Sequence, residues 1–578
     1  MPDAAQEPGS PRSRRWDWRL VPALVAGGLL AALAALSVVN SFIVHMTPDI
    51  SIYLLHARTF VETLNRFTLS WVNKGILLTF LLAPAVRLFG PTVWGAALVQ
   101  CCTHAVAFYF LYQILRGFAP RASSGLIVLI GICVVFSPHL WGGKERPEDF
   151  ALACAAVCLY AALRAAPGWW IAGGAMVGCC ALTKITLVAA PAAVLLAAAV
   201  ADAVKPAAPE RRRSFGRALF GNLARTAAGF IVVVGLAAVW IALFDDLGGC
   251  WLQTVAWPLH SRGRSMLDPQ LYVSVLRLIR RCRLEFLFAG CVVGLAYGWH
   301  KGYRRAAFLA GIFLLAEFLR IAAEGAQFPY LTTLMIVPLL VGASLFGCGG
   351  KGHARRSLAW MAPLVLAAPV LLTAFVQEGR PFELRAVRRL PSPSEYLAER
   401  MRPLYRPGET VLVNFNEHHI LLLLNAPRPE PILELHFHLE RAPEEERLRT
   451  VRHYAEFPPD WILTSKFPQN PVEFKTLGWV DGAYYVYLRP SKAALEDEAK
   501  KVNAAPPRTG AELTPMVPTS RLYRLEVDIG CMQAWHLAPA AGAAALPGRL
   551  DDRLEVPGLR QPPPGIVEVF GAVTVLRQ

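Results

Sequence analysis

The chain is poor in charge: only 17% of its 578 residues are charged, whereas 54% are hydrophobic. Its mean hydropathy of +0.39 excludes an ordinary soluble domain and is typical of a protein that crosses a membrane several times. The twelve cysteines include no CxxC pair, which argues against a zinc knuckle or a disulfide framework. The N-terminal region lacks a convincing cleavage site before its first apolar stretch, so that stretch predicts an uncleaved first helix.

The charge that is present is mostly basic, with a formal net charge of +16. The basic residues form short runs between apolar segments, so they indicate membrane topology and contacts with anionic lipids rather than nucleic-acid binding. By the positive-inside rule we expect five runs to be cytoplasmic. These runs lie at 12–15, 116–121, 211–213, 301–305 and 351–356.

Apolar segments of spanning length recur through the first two thirds of the chain. They lie at 20–44, 92–115, 122–137, 149–166, 169–203, 218–243, 284–299, 306–322, 331–347 and 357–376. The segment 169–203 is long enough for two short passes broken at Leu-Thr-Lys, which gives about eleven crossings. We therefore predict an all-α polytopic membrane domain followed by an extracytoplasmic α/β soluble domain.

A further apolar segment, 73–90, decides the topology. If it crossed the membrane, the basic runs from 116 to 213 would move to the far side. We therefore interpret it as an interfacial amphipathic helix, so that 44–91 forms one long external loop. The arginine-rich stretch 276–283 conflicts with this count, and we interpret it as a second interfacial helix that faces lipid headgroups.

Three regions follow from this pattern. Residues 1–18 form a cytoplasmic tail, 19–377 the transmembrane domain, and 378–578 the soluble domain, which the odd number of crossings places outside. Strand-like runs in the soluble domain lie at 410–415, 460–465, 483–489 and near the C-terminus.

Polar side chains collect in the predicted external loops. A carboxylate beside a membrane exit suits a general base for a hydroxyl or amine, or a metal ligand. Lysine and arginine at headgroup depth suit a phosphate-bearing amphiphile with an anionic leaving group. The pattern indicates group transfer from a lipid phosphate to an external acceptor. The candidates are Asp49, Tyr53, Lys74, Glu148, Asp149, Lys184, His260, Arg262 and Arg320.

A structural interpretation stands beside each functional one. Asp49 would cap a helix that begins at Ile50, and the acids near 148 would mark a solvated helix start. The lysines would anchor at the headgroups. Arg320 would pair with Glu317 and Glu324 at helical spacing, and His260 would be an ordinary loop residue.

Several stretches resemble, in order, motifs of the GT-C glycosyltransferases, a group that includes protein O-mannosyltransferases and the lipid A aminoarabinose transferase. The first loop has "TPDISIY", followed by "NKGILLTFLLAPAVRLFG" and the acidic "FSPHLWGGKERPEDFAL". Further along come "ALTKITLVAAP", "QFPYLTTLMIVP", "YRPGETVLV" and "FPPDWILTSK". These motifs follow one another in the order that they have in the family and cover most of 19–490.

The resemblance implies an enzyme that uses a polyprenyl-phosphate sugar, usually with inversion, and a catalytic aspartate in the first loop. Asp49 matches that aspartate, and Lys74 matches the residue near the donor phosphate. Glu148 falls where the acid of the second loop should be, with Asp149 as the alternative one residue on.

The remaining matches are looser. His260 with Arg262 resembles a His-x-x-Arg loop, but the spacing differs. Gly75 replaces the proline that usually follows the lysine. Ile50 stands where many members carry a second acid, which argues against a metal site on an acidic pair there.

The sequence thus predicts an integral-membrane glycosyltransferase with Asp49 as catalytic base. It would transfer a sugar from a polyprenyl monophosphate to a lipid, polysaccharide or protein acceptor. Two alternatives stay open: a lipid-linked sugar transporter or flippase, and an inactive relative that acts as an assembly partner. No cofactor is required, and a divalent cation is left open. The composition and the absence of a retention signal favour a bacterial inner membrane.

Overall fold

The computed structural model describes the helical bundle and parts of the C-terminal region. The described residues are 21–42, 48–64, 75–137, 139–140, 146–204, 215–256, 268–325, 328–347, 362–372, 393–413, 419–427, 460–465, 479–480, 484–485, 523–528 and 532–537. The predicted tail 1–18 and the last strand-like run lie outside them.

The described part of the chain is mostly helical, and its first helices follow the predicted apolar segments. They are α1 (Val21–Phe42), α2 (Pro48–Thr63), α3 (Leu77–Phe89), α4 (Val93–Leu115), α5 (Arg121–Val135), α6 (Pro147–Arg164), α7 (Pro167–Thr183), α8 (Ala189–Val204) and α9 (Phe215–Phe244). Short 3₁₀ turns link some helices, at Ile185–Val188 and Pro329–Met335. The later helices are α10 (Leu247–Trp251), α11 (Pro269–Arg281), α12 (Glu285–His300), α13 (Arg304–Ala323), α14 (Ile336–Ser344), α15 (Ala362–Leu372), α16 (Pro393–Met401) and α17 (His419–Leu423).

Within the described ranges, four helical segments are long and apolar enough to cross a membrane. They are α4, the segment Ile185–Val204, α9 and α13. The total of about eleven crossings stays a prediction.

Helix α6 is the most enclosed part of the bundle. Fifteen of its eighteen residues are buried, and most of them are small. Small side chains let neighbouring helices approach closely in a membrane protein, and α6 packs against α4, α7 and α8. Its first turn is therefore held by several elements at once.

The predicted break at Leu-Thr-Lys is present. Helix α7 ends at Thr183, and Lys184 has an extended backbone with φ −165° and ψ 121°. The chain then makes the 3₁₀ turn Ile185–Val188 before α8 begins. The break places Lys184 at the end of the bundle, next to the first turn of α6.

Helix α3 contains 13 residues with Pro84 inside. A helix of that length extends about 20 Å, less than the hydrocarbon core of about 30 Å. Its interfacial placement stays a prediction, and its length agrees with that placement.

Four of the described C-terminal strands form a mixed sheet: β1 (Val411–Val413), β2 (Trp461–Ser465), β5 (Tyr523–Asp528) and β6 (Met532–Leu537). Their order in the sheet is β1-β2-β6-β5. Strands β1 and β2 are parallel, with Val411 opposite Trp461, and the other pairs are antiparallel. A separate short pair joins β3 (Trp479–Val480) and β4 (Tyr484–Tyr485).

Helix α2 lies between the bundle and this sheet. On one side Leu55 joins a buried cluster with residues of β1, β2, α16 and α17. On the same side Arg58 Nη2 donates a hydrogen bond of 2.7 Å to the carbonyl oxygen of Ala426. On the other side Ile50 and Leu54 pack with residues of α3 and α4 and with Phe150 of α6.

Candidate functional site

The site is built around the start of α6. Arg146 has an extended backbone at the N-cap, and Pro147 occupies the first helical position, where its missing N–H is no loss. Asp149 Oδ2 accepts a hydrogen bond of 3.1 Å from the backbone N–H of Arg146. This is the reciprocal half of a capping box, so Asp149 fixes the start of the helix and leaves Glu148 to face its neighbours.

Glu148 pairs with the lysine at the helix break. Lys184 Nζ lies 2.8 Å from Glu148 Oε1 and 2.5 Å from Glu324 Oε2. Thr186, in the 3₁₀ turn that follows, donates a hydrogen bond of 2.6 Å to Glu324 Oε1. The lysine thus joins the first turn of α6 to the end of α13.

Arg320 continues this network on α13. Its guanidinium donates to Glu317 Oε2 at 2.9 Å and to Glu324 Oε1 at 2.7 Å. A third bond of 2.7 Å reaches the carbonyl oxygen of Leu331 in the second 3₁₀ turn. The predicted ion pairs at helical spacing are therefore present, and they also hold the segment after α13.

These charges are buried, with exposed fractions of 1% for Glu148, 0% for Glu317 and 4% for Arg320. The network holds three carboxylates and two cations, so the carboxylates outnumber the cations. Glu148 Oε2 and Glu317 Oε1 are buried and have no hydrogen-bond partner within the described residues. A buried carboxylate oxygen without a donor can accept a proton or a hydrogen bond from a bound hydroxyl.

An aromatic side chain closes the site beside Arg146. The Arg146 guanidinium carbon lies 4.1 Å from the centroid of the Tyr330 ring, within the range of a cation–π contact. Arg146 is fully buried. Tyr330 belongs to the same 3₁₀ turn whose Leu331 carbonyl binds Arg320, so two arginines hold this turn against the acids.

Helix α4 contributes a histidine to the far side of Asp149. His104 Nε2 lies 3.9 Å from Asp149 Oδ1, and its Nδ1 is 2.9 Å from the carbonyl oxygen of Gln100. Because a carbonyl only accepts, Nδ1 carries a proton. The Asp149 carboxylate therefore lies between the backbone N–H of Arg146 and the ring of His104.

Asp49 lies on helix α2, which shares an apolar cluster with the first turn of α6. Helix α2 begins at Pro48, so Asp49 is its second residue and lies inside the first turn rather than at a cap before Ile50. Ile50 and Phe150 belong to the same buried cluster. Helix α2 and the first turn of α6 therefore contribute side chains to one apolar cluster, together with α3 and α4. Tyr53 is buried in that cluster and packs there.

The surroundings of Gly75 explain why this chain has glycine where the family that it resembles usually has proline. Its backbone N–H donates a hydrogen bond of 2.9 Å to the carbonyl oxygen of Thr183. A Cβ at this position would lie 1.9 Å from the carbonyl oxygen of Leu182. Proline has a Cβ and no N–H, so it does not fit here. The residue that follows Lys74 is thus fixed beside Lys184.

Three predicted site residues, Lys74, His260 and Arg262, lie outside the described residues, and their roles stay predictions. Sequence reasoning missed the contribution of Thr186 and the link from Glu324 to Lys184. Only the break at Leu-Thr-Lys gave a signal, because a polar pair at an interrupted apolar segment indicates a site at the helix end. No three His, Cys, Asp or Glu side chains in the described ranges lie close enough to hold a metal ion.

An apolar helical bundle with a buried polar network at one end indicates an integral membrane protein. Comparison with known proteins agrees with this interpretation. Residues 73–210 match the family model of dolichyl-phosphate-mannose-protein mannosyltransferase. No curated protein sequence matches the chain.

Among solved structures, the chain is similar to ArnT from Cupriavidus metallidurans. The crystal structure of that protein bound to undecaprenyl phosphate aligns with a TM-score of 0.50 and 15% identity, covering 79% of this chain and 94% of that one. The apo crystal structure aligns with a TM-score of 0.51 at the same identity and coverage. The chain therefore has an ArnT-like fold, and the resemblance to GT-C glycosyltransferases is confirmed.

Proposed function

We propose that this membrane protein transfers a sugar from a polyprenyl monophosphate to an acceptor outside the cytoplasm. The observation that carries the proposal is the buried Lys184 network at the first turn of α6, whose Phe150 shares an apolar cluster with Ile50 of the helix that carries Asp49. Glu148 belongs to this network, and its second carboxylate oxygen is buried without a hydrogen-bond partner within the described residues.

The comparisons support the choice of donor. The matched family is named for a dolichyl-phosphate sugar donor, and ArnT of the same fold binds undecaprenyl phosphate. Both ligands are polyprenyl phosphates, so we assign this chain a donor of that class. Lys74 and Arg262 are the proposed contacts to its phosphate.

In the proposed reaction Asp49 takes the proton of the acceptor hydroxyl or amine. The acceptor atom then forms a bond to the anomeric carbon of the sugar, while the bond from that carbon to the phosphate oxygen breaks. Polyprenyl phosphate leaves with the bonding electron pair and needs charge stabilisation. Glu148 orients the acceptor, and Lys184 and Arg320 hold the acids and the donor end of the site in place.

We also propose the predicted topology for this chain: about eleven crossings, the external loop 44–91, and residues 378–578 outside the cytoplasm of a bacterium. The polarity of the described helices supports it. The site lies at the start of α6 and the end of α13, whereas the basic residues Arg116, Arg164 and Arg305 lie at the opposite helix ends.

The experiment is a release assay in proteoliposomes. Purified protein is supplied with a panel of polyprenyl-phosphate sugars and candidate acceptors, and free polyprenyl phosphate is measured. We expect release that depends on both donor and acceptor. Translocation of intact donor without release would instead identify a transporter, and neither release nor translocation across the panel would favour the assembly-partner interpretation.

A further inference from the structure

A polar pocket lies at the ends of α6 and α13 that are opposite the Lys184 network. Its volume is about 590 Å³, which is within the usual range for small-ligand sites. The ends of α4 and α6 and the start of α13 form its wall, and Arg116, Arg164 and Arg305 line it. Arg164 follows Glu148 by sixteen residues on α6, so the pocket is about 24 Å along the helix from the Lys184 network.

The three arginines are only partly neutralised. Arg305 pairs with Asp202 and donates a bond of 2.5 Å to the carbonyl oxygen of Ala162. Its buried Nε has no hydrogen-bond partner in the part of the chain that the structure describes. Asp202 is the only acid that pairs with these arginines among the described residues. The pocket therefore keeps an excess of positive charge.

Tyrosine rings hold the other two guanidinium groups at the rim. Arg164 Nε donates a hydrogen bond of 2.9 Å to the Tyr160 hydroxyl, and its carbon lies 5.1 Å from that ring centroid. The guanidinium carbon of Arg116 lies 5.8 Å from the centroid of the Tyr112 ring. Both arginines are exposed, so their remaining N–H donors face solvent or a ligand.

The position and the apolar lining of the pocket favour a lipid headgroup over a free anion as its ligand. The pocket lies at the ends of α4 and α13, two helices long enough to cross a membrane, and therefore at headgroup depth. Apolar side chains of Ile114, Phe118 and Leu163 line it together with the arginines. Basic pockets between membrane helices on the cytoplasmic side bind anionic headgroups. We propose that this pocket binds the phosphate of an anionic phospholipid from the cytoplasmic leaflet.

The test compares lipid binding to purified full-length protein by native mass spectrometry, with phosphatidylglycerol and phosphatidylcholine as probes. The double variant Arg116→Gln/Arg164→Gln removes two guanidinium groups from the pocket. The control Arg400→Gln/Arg406→Gln removes the same charge from exposed positions in and just after α16, away from the membrane helices. All three proteins are first checked for equal thermal unfolding midpoints.

We expect the wild type to prefer phosphatidylglycerol and the pocket variant to lose affinity by roughly tenfold or more, since each basic group near a surface contributes several-fold. The control variant should stay within about twofold of the wild type. Equal binding of both lipids by the wild type, or equal losses in the two variants, would overturn the proposal. Displacement of phosphatidylglycerol by inorganic phosphate at matched ionic strength would show a free-anion site and would also overturn it.

Discussion

Lys184 forms ion pairs with two buried carboxylates, and this is the central feature of the site at the scale of single residues. Its ammonium group bridges Glu148 and Glu324, and Glu324 also binds Arg320 and Thr186. Removing one partner from a buried ion pair costs about 3–5 kcal/mol, because the other charge is left without compensation. The ion pair with Lys184 therefore fixes the position of the Glu148 carboxylate, and breaking that pair lowers the stability of the fold by this amount.

We predict that Lys184→Met lowers the free energy of unfolding by about 3–5 kcal/mol, measured as a fall in the thermal unfolding midpoint in detergent. Adding Glu148→Gln to Lys184→Met should recover part of the loss, since the uncompensated charge on Glu148 is gone. Lys301→Met is the control, because Lys301 is exposed and its Nζ lies 5.5 Å from the Tyr297 ring centroid. A double variant no more stable than Lys184→Met alone would contradict this account.

At this scale the sequence predicts local pairs and misses distant ones. The pairs of Arg320 with Glu317 and Glu324 follow from helical spacing and are present. The bonds of Lys184 to Glu148 and Glu324 span 36 and 140 residues of sequence. No local rule connects such positions, so only the packing of α6, α7 and α13 reveals them.

At the scale of secondary-structure elements, Gly75 joins α3 to the end of α7. The contact combines a backbone hydrogen bond to Thr183 with a space that no Cβ could enter. It holds Gly75, the residue that follows the proposed phosphate-binding Lys74, close to the helix break. The position thus requires glycine for reasons of packing.

We predict that both Gly75→Ala and Gly75→Pro reduce sugar transfer and lower the thermal midpoint. Alanine would place Cβ against the Leu182 carbonyl, and proline would in addition remove the donated N–H. The matched control is Gly125→Ala in α5, where an added Cβ meets nothing within 4 Å. A wild-type midpoint for Gly75→Ala would show that the two helix ends do not meet as described.

Helix elements were largely predictable because their apolar segments are long, and the break before α8 was visible as an interrupted run. Strands β5 and β6 were not predicted. Their sequences hold a single β-branched residue, Val527, so the usual strand signal is weak. Pairing of β6 with β2 on one side and with β5 on the other, rather than local propensity, defines them.

At the scale of the whole molecule, acids and bases are separated along the bundle. The buried acidic network lies at one end of α6 and α13, and the arginine-lined pocket lies at the other. Positive residues favour the cytoplasmic side, so this polarity supports the proposed placement of the acidic end outside the cytoplasm. The sequence predicted this orientation from the basic runs, but the pocket that they line could be seen only in the fold.

We predict that alkaline phosphatase fused after Gln578 is active and that green fluorescent protein fused there is dark. The proposed odd number of crossings would put that end outside, where alkaline phosphatase can form its disulfides. The same reporters fused after Arg116 should give the opposite result. A fluorescent C-terminal fusion would contradict the topology and would move residues 378–578 to the cytoplasm.

The most direct test of the central claim is the release of polyprenyl phosphate by Asp49→Asn, with donor binding measured in the same preparation. The matched control is Glu62→Gln, which removes an exposed acid from the same helix. Removing a positioned general base slows a reaction by about 10²–10⁴-fold. We predict that Asp49→Asn binds donor as the wild type does but releases polyprenyl phosphate at least about 100-fold more slowly, whereas Glu62→Gln keeps the wild-type rate. Release by Asp49→Asn at the rate of the wild type would contradict a catalytic role for Asp49 and the proposed site with it.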